Sequence, residues 1–131
     1  MFLDASAIIA IIARESDAAA LAGRLRQASE VHTSPIAIYE AVLGLARVGN
    51  MSIQDAQIVL TRFLEELQAQ IMSIGAEVGR SAIAAFNRFG KGRHPVGLNM
   101  GDCFAYACAN ELDVPLLFKG NDFPQTDIAV A

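Results

Sequence analysis

The segment at residues 103–109 most constrains the fold, because it is almost wholly apolar and yet has the pattern of a helix. Its only large polar side chain is Tyr106. Asn99 is a favourable N-cap, and Asp102 falls in the first turn, where the helix dipole favours a carboxylate. A helix that is apolar on nearly every side must be buried on most sides. Asp102 then lies at the mouth of a buried helix. It either serves only the helix dipole or needs a positively charged partner or a metal ion.

Short apolar stretches alternate with helical patterns along the rest of the chain. This alternation predicts an α/β fold in which a parallel sheet carries helices on both faces. The predicted strands are residues 1–4, 30–33, 70–73, 114–118 and a last short one at 128–130. The predicted helices are a short one after residue 6, then 18–27, 36–48, 53–68, 75–87 and the buried helix to about 112, with a loop at 88–98.

The composition limits the class of protein. A chain of 131 residues that is 53% hydrophobic is expected to form one domain, residues 1–131, with a large core. A net charge of −4 argues against a protein that merely coats nucleic acid. No apolar run approaches the roughly 20 residues of a membrane span, and the start lacks the basic region of a signal peptide, so we expect a cytoplasmic protein. Cys103 and Cys108 lie on one helix and point apart, which predicts buried thiols rather than a disulfide.

Four carboxylates fall where this sheet would gather them. Asp4 follows the first strand, Asp122 follows the strand at 114–118, and Glu40 lies near the start of the helix after the second strand. In parallel sheets, ligands bind beyond the carboxyl ends of the strands. Asp102 joins the other three if its helix begins on the same side, which the long preceding loop permits.

Such a cluster is unstable without compensation, because two unit charges about 4 Å apart repel by about 4 kcal/mol at an effective dielectric near 20. Protonation, cationic side chains or a divalent cation would relieve the repulsion. Oxygen ligands without His or Cys favour Mg²⁺ or Mn²⁺ over zinc. A cation held there can activate water and bind a phosphate, which is the chemistry of a metal-dependent nuclease.

Cationic side chains near the predicted site have two interpretations. They either contact the phosphates of a substrate or belong to a solvated surface loop. Lys119, beside Asp122, either contacts phosphate or pairs with a carboxylate. The other candidates crowd the loop before Asp102: Arg88, Lys91, Arg93 and His94.

Four sequence motifs together resemble the PIN domain of VapC-type toxins. They are MFLDAS at residues 1–6, SPIAIYE at 34–40, GRHPVGLNMGDC at 92–103 and LLFKGNDF at 116–123. They occur in order and span nearly the whole chain. One departure in detail is Asn121 before the last acid, where relatives vary.

The resemblance implies a PIN-like three-layer α/β/α sandwich with a short central parallel sheet. It further implies a Mg²⁺- or Mn²⁺-dependent endoribonuclease that is the toxin of a type II toxin–antitoxin pair. The protein would form a homodimer and would be inhibited by a VapB-type antitoxin whose C-terminal segment wraps the toxin near its active site. The acidic positions carried over are Asp4, Glu40, Asp102 and Asp122.

The resemblance also implies a role for each acid. Asp4 and Asp102 would be the firmest metal ligands, and Asp122 would bind a metal ion or its water. Glu40 would complete the site, through a second metal or by accepting a proton from water. Ser6 would hydrogen-bond to a ligand.

Two other functions stay open at this stage. One is a different phosphate-processing α/β enzyme, such as a phosphatase or receiver-like domain with Asp4 as nucleophile. The absence of a second acid two residues after Asp4 counts against it. The other is a non-catalytic module that binds a partner. Among further residues, Tyr39 is expected only to pack against neighbours, His32 to be a surface or satisfied core residue, and Asp127 to cap or pair rather than bind metal.

Overall fold

A computed structural model describes all residues, 1–131, and its centre is a four-stranded parallel sheet. The strands are β1 (Phe2–Leu3), β2 (His32–Thr33), β3 (Gln70–Ile71) and β4 (Leu116–Leu117), in the order β3-β2-β1-β4. In β1, Phe2 stands opposite both His32 and Leu116. The predicted parallel sheet is therefore confirmed, although each strand is only two residues long.

Six α-helices surround the sheet. Because Ser34, Ser52 and Asn99 accept hydrogen bonds from the first turns that follow them, three helices begin where the sequence predicts. The helices are α1 (Ala5–Ile12), α2 (Ala18–Leu25), α3 (Pro35–Val48), α4 (Ile53–Glu66), α5 (Ala76–Phe89) and α6 (Met100–Glu111). None of them is both long and apolar enough to cross a membrane.

The helices form two layers because neighbouring residues of a strand point to opposite faces of the sheet. Phe2 and Leu116 belong to a core shared with α5 and α6. Leu3 and Leu117 belong to a second core, shared with α1, α2, α3 and α4. The expected α/β/α sandwich is thus confirmed. Cys103 and Cys108 are buried free thiols of α6, as predicted.

Several predicted boundaries are wrong. Residues 128–130 do not form a strand, since Val130 makes only an isolated bridge to Leu116. Helix α5 continues through Phe89, so Arg88 is helical rather than part of the loop. The strand at 70–73 lies at the sheet edge, where Gln70 and Ile71 are exposed.

Candidate active site

Asp4 occupies the junction between the sheet and the first helix. Its N–H donates to the Leu117 carbonyl oxygen at 3.0 Å, which continues the ladder between β1 and β4. Its side chain caps α1, because Oδ2 accepts from the Ser6 N–H at 3.0 Å and from the Ser6 hydroxyl. The Ser6 hydroxyl oxygen in turn accepts from the Lys119 N–H at 3.0 Å. Ser6 therefore links Asp4 to the segment that follows β4.

Glu40 faces the start of α6 from the second turn of α3. Gly101 makes this approach possible, since a Cβ atom at residue 101 would overlap both carboxylate oxygens of Glu40. Burial raises the pKa of Glu40, and the charges of Asp4 and Asp102 raise it further. The three carboxylates are therefore close enough to repel one another. The topology argument predicts this for Asp4 and Glu40, and for Asp102 on the condition that its helix begins on the same side.

Asp102 is part of a capping box at the start of α6. Its N–H donates to Asn99 Oδ1, and its Oδ2 accepts from the Asn99 N–H, each at 2.9 Å. Burial raises the pKa of Asp102 despite that second bond, and the charges of Asp4 and Asp122 add to the rise. Asp102 therefore does help to cap α6. The cap does not explain why the carboxylates of Asp4 and Asp122 lie close to it.

No salt bridge compensates the charge of this cluster. Asp4 is 5% exposed, and burial raises its pKa against the opposing effect of the bonds from Ser6. None of the ion pairs of the protein includes Asp4, Glu40 or Asp102. Three carboxylates therefore share one region with raised pKa values and without a salt bridge, an arrangement that favours binding of an external cation.

The three acids open onto one cavity of about 620 Å³. Ser6 and Asn99 lie beside them in its wall. The rest of the lining comes from α1 and α3: Ala5, Ile9, Tyr39, Leu43, Gly44 and Arg47.

The sequence matches the PIN domain family over residues 1–129. The chain belongs to this family. Its similarity to VapC proteins extends over nearly the whole length. It is 37% identical to the VapC ribonuclease R02377 of Rhizobium meliloti, with 97% of this chain and 98% of the relative covered. It is 40% identical to the ribonuclease VapC28 of Mycobacterium tuberculosis, with 98% and 95% covered.

A solved PIN-domain structure has the same fold. The VapC20 toxin of Mycobacterium tuberculosis, described as cleaving the sarcin–ricin loop, superposes with a TM-score of 0.77. The superposition covers 99% of this chain and 97% of that one, at 16% sequence identity. At this identity the likeness supports the fold, and the activity is argued from the site.

The donor chemistry of this PIN domain fits a hard divalent cation. The groups are carboxylates without accompanying imidazole or thiolate, which suits Mg²⁺ or Mn²⁺. Their raised pKa values show that each carries an unfavourable charge which a cation would relieve. No three carboxylate, imidazole or thiolate side chains are arranged around one point to bind a single ion. The four-carboxylate ligand set therefore stays a prediction.

Asp122 lies at the edge of the group rather than in the cavity wall. It is exposed, in the N-cap position of a 3-10 turn, Phe123–Gln125, and its side chain makes no capping bond. Its charge reaches Asp102, whose pKa it helps to raise. The structure thus brings Asp4, Glu40 and Asp102 together and leaves Asp122 next to them on a surface turn.

Two predicted phosphate contacts are held elsewhere. The Lys119 ammonium pairs with Glu15, and its Nζ lies 3.8 Å from Asp17 Oδ1, so the alternative that Lys119 pairs with a carboxylate is confirmed. Arg88 pairs with Asp127 at 2.7 Å. Asp127 also accepts from the Tyr106 hydroxyl at 2.6 Å, so the expectation that it pairs is confirmed.

The loop cations keep to local contacts. Arg93 donates to Asn87 Oδ1 at 3.2 Å, and His94 Nδ1 accepts from the Val96 N–H at 3.1 Å. Lys91 pairs through its backbone with Leu98. Arg93, His94 and Lys91 are not among the residues that line the cavity, and their role toward substrate stays a prediction.

The sequence analysis missed the contribution of α3 beyond Glu40. Arg47 lines the cavity, and Tyr39, expected only to pack against neighbours, is 64% exposed in its wall. A signal was present, because residues 40, 44 and 47 follow the spacing of one helix face. His32, predicted to be a surface residue or a core residue with a partner, is a buried residue of β2. Its Nε2 lies 3.5 Å from a carboxylate oxygen of Glu30.

Proposed function

We propose that this protein is a metal-dependent endoribonuclease that acts as the toxin of a type II toxin–antitoxin pair. One observation carries the proposal: three carboxylates with raised pKa values share a cavity without a salt bridge. Membership of the PIN-domain family and likeness to proteins named VapC ribonucleases support hydrolysis of RNA as the reaction. The activity is hydrolysis of a phosphodiester bond.

Asp4, Glu40, Asp102 and Asp122 would hold Mg²⁺ or Mn²⁺, with Asp4 and Asp102 as the firmest ligands. When bound, the cation supplies positive charge that lowers the pKa of water and neutralises the phosphate. Ser6 keeps the Asp4 carboxylate fixed through the bonds to Oδ2.

Glu40 would complete the site, either as a ligand of a second metal ion or by accepting the proton of the attacking water. Burial raises its pKa, and its carboxylate lies close enough to Asp4 and Asp102 for their charges to raise that pKa further in the absence of a cation, which places it beside the proposed metal ligands. It also makes no salt bridge that would have to break first.

On the substrate side, Arg93, His94 and Lys91 contact RNA phosphates, and Ser6 lies next to the reacting group. Arg93→Ala is expected to weaken RNA binding more than metal binding. Equal RNA affinity of the variant and the parent at low salt would contradict the contact.

The partners follow from the same proposal. They are the RNA substrate, a VapB-type antitoxin and a second copy of the chain in a homodimer. We also infer that residues 1–131 form one domain, because both cores are built on the same two central strands, β1 and β4.

The decisive experiment is cleavage of total cellular RNA by the purified protein with Mg²⁺, with Mn²⁺ and with EDTA. Asp4→Asn and Asp102→Asn test the site, and Glu66→Gln is the matched control, because Glu66 is an exposed acid of α4 without an ion-pair partner. We expect discrete fragments that require metal, are lost in both Asp variants and persist in the control. Cleavage by Asp4→Asn at the parent rate would overturn the site. No cleavage by the folded, antitoxin-free parent would overturn the function.

A further inference from the structure

The cavity has two chemically different walls. One wall carries the carboxylates and Ser6, and the other is formed by Tyr39, Leu43 and Arg47 of α3. Glu40 belongs to the first, while Arg47 lies seven residues further along the same helix face. Seven residues of α-helix advance about 10 Å, so Arg47 lies about two turns from the acids.

Arg47 is a cation without an internal partner. It is exposed, lines the cavity, and takes part in no salt bridge and no side-chain hydrogen bond of the protein. Its planar guanidinium presents donors in the geometry that matches phosphate oxygens. An anion that binds there displaces no existing contact.

An aromatic and apolar surface adjoins this cation. The Tyr39 side chain is 64% exposed and that of Leu43 is 41% exposed, and both line the cavity together with Arg47. Exposed aromatic rings beside a cation are the means by which proteins bind single-stranded nucleic acid, because every base has a face that can stack.

The position of this surface relative to Asp4 is fixed by close helix packing. A Cβ atom at Gly44 would overlap the Ile9 side chain, so α3 lies tightly against α1. Asp4 caps α1, and Gly44 lies between Leu43 and Arg47. The separation between the acids and the α3 wall is therefore a property of the packed core rather than of a mobile loop.

We propose that the α3 wall, defined as Tyr39, Leu43 and Arg47, binds the nucleotide next to the cleaved phosphodiester of RNA. Arg47 binds its phosphate, and its base stacks on Tyr39 against Leu43. This inference rests on the proposed ribonuclease function and adds a subsite to it. RNA repeats a phosphate and a planar base, which match the guanidinium of Arg47 and the ring of Tyr39. An acidic peptide would use only the cation.

The first test compares steady-state RNA cleavage by Arg47→Ala, Arg47→Lys and the control Arg62→Ala, an exposed arginine of α4 without an ion-pair partner. Loss of one charge-assisted contact is expected to raise KM about tenfold in Arg47→Ala with kcat little changed. Arg47→Lys should recover part of the loss, and Arg62→Ala should match the parent. Tyr39→Ala should raise KM as well, whereas Tyr39→Phe, which keeps the ring, should not.

The second test locates the contact along the RNA. A short cleavable oligonucleotide is prepared with one neutral methylphosphonate at each position in turn, and binding is measured in EDTA. The parent should lose affinity at a phosphate beside the cleavage site, and Arg47→Ala should be insensitive at that same position. The slope of log affinity against log salt should also fall by about 0.7 in Arg47→Ala, as expected for one phosphate of a single strand.

The outcomes separate this inference from the proposed function. A parent that does not cleave RNA overturns both. A parent that cleaves, with Arg47→Ala equal to it in KM, salt slope and methylphosphonate profile, overturns the subsite alone. In that case an acidic segment of a protein partner is the remaining class of ligand for Arg47.

Discussion

A single glycine leaves room for the Glu40 carboxylate at the start of the helix that carries Asp102. Gly101 occupies the first turn of α6, and a side chain there would overlap the Glu40 carboxylate. In the sequence this glycine has no evident purpose beyond the first turn. Its role becomes visible only when α3 and α6 are placed side by side.

The Gly101→Ala substitution is therefore expected to displace the Glu40 carboxylate and to reduce RNA cleavage at least tenfold. Gly79→Ala is the matched control, since Gly79 lies inside α5 and a Cβ atom there meets nothing. Alanine in a helix interior should stabilise that variant by about 0.5–1 kcal/mol. Urea unfolding and RNA cleavage of both variants check the prediction. A Gly101→Ala protein with full activity would contradict the close approach.

At the scale of elements, the segment after β4 is held by a network that the sequence did not predict as one unit. Asp127 accepts hydrogen bonds from Arg88 of α5 and Tyr106 of α6. The same segment carries Asp122, whose carbonyl oxygen accepts from the Gln125 N–H at 3.1 Å. The network thus connects both helices of one layer to the turn at the edge of the site.

The two interactions of Asp127, with Arg88 and with Tyr106, should contribute unequally to stability. The Arg88 and Asp127 side chains are each about half exposed, so solvent screening leaves their ion pair only a small contribution to stability. The Tyr106 side chain is buried and its hydroxyl donates to the same carboxylate, so Tyr106→Phe should lower the free energy of unfolding by about 1–2 kcal/mol. Chemical denaturation checks the order of the two effects. A larger loss in Arg88→Gln than in Tyr106→Phe would contradict it.

At the scale of the whole molecule, the carboxylate cluster makes stability depend on pH in an unusual direction. A carboxyl with a raised folded pKa binds more protons in the folded state than in the unfolded one. The free energy of unfolding therefore falls as pH rises above the ordinary values of 3.8 for Asp and 4.5 for Glu. This loss of stability reaches its full size once the pH exceeds the raised pKa values of the folded protein.

Glu40→Gln isolates the part of this pH-dependent loss of stability that comes from Glu40. Glu40 makes no hydrogen bond or salt bridge that the change would break. In EDTA the variant should be more stable than the parent at pH 7, and the difference should vanish below pH of about 4. Thermal unfolding between these pH values is the measurement, with Glu66→Gln as control. A variant that is less stable than the parent at pH 7 would contradict the repulsion.

A divalent cation should remove the same penalty. Addition of Mn²⁺ or Mg²⁺ at pH 7 is expected to raise the melting temperature of the parent, because a ligand that binds only the folded state stabilises it. The rise should be much smaller in Asp4→Asn. Equal rises in the two proteins would show that the ion binds elsewhere.

Much of the local structure followed from the sequence. Ser34, Ser52 and Asn99 determined where three helices begin, because a cap depends only on a side chain and the next turn of backbone. The alternation of short apolar segments and helices likewise gave the parallel sheet and the shared edge for Asp4 and Glu40. These are consequences of local propensity and of chain connectivity.

Only the tertiary structure determined what the site contains beyond its acids. Arg47 lines the cavity, whereas Arg88 pairs with Asp127 outside it. Both positions depend on how the helices pack, which the local spacing of residues does not specify. The same is true of the exposure of Tyr39 and the position of Asp122 on a surface turn. A sequence determines which face of a helix a residue occupies, but burial and partners are set by side chains that are distant along the chain.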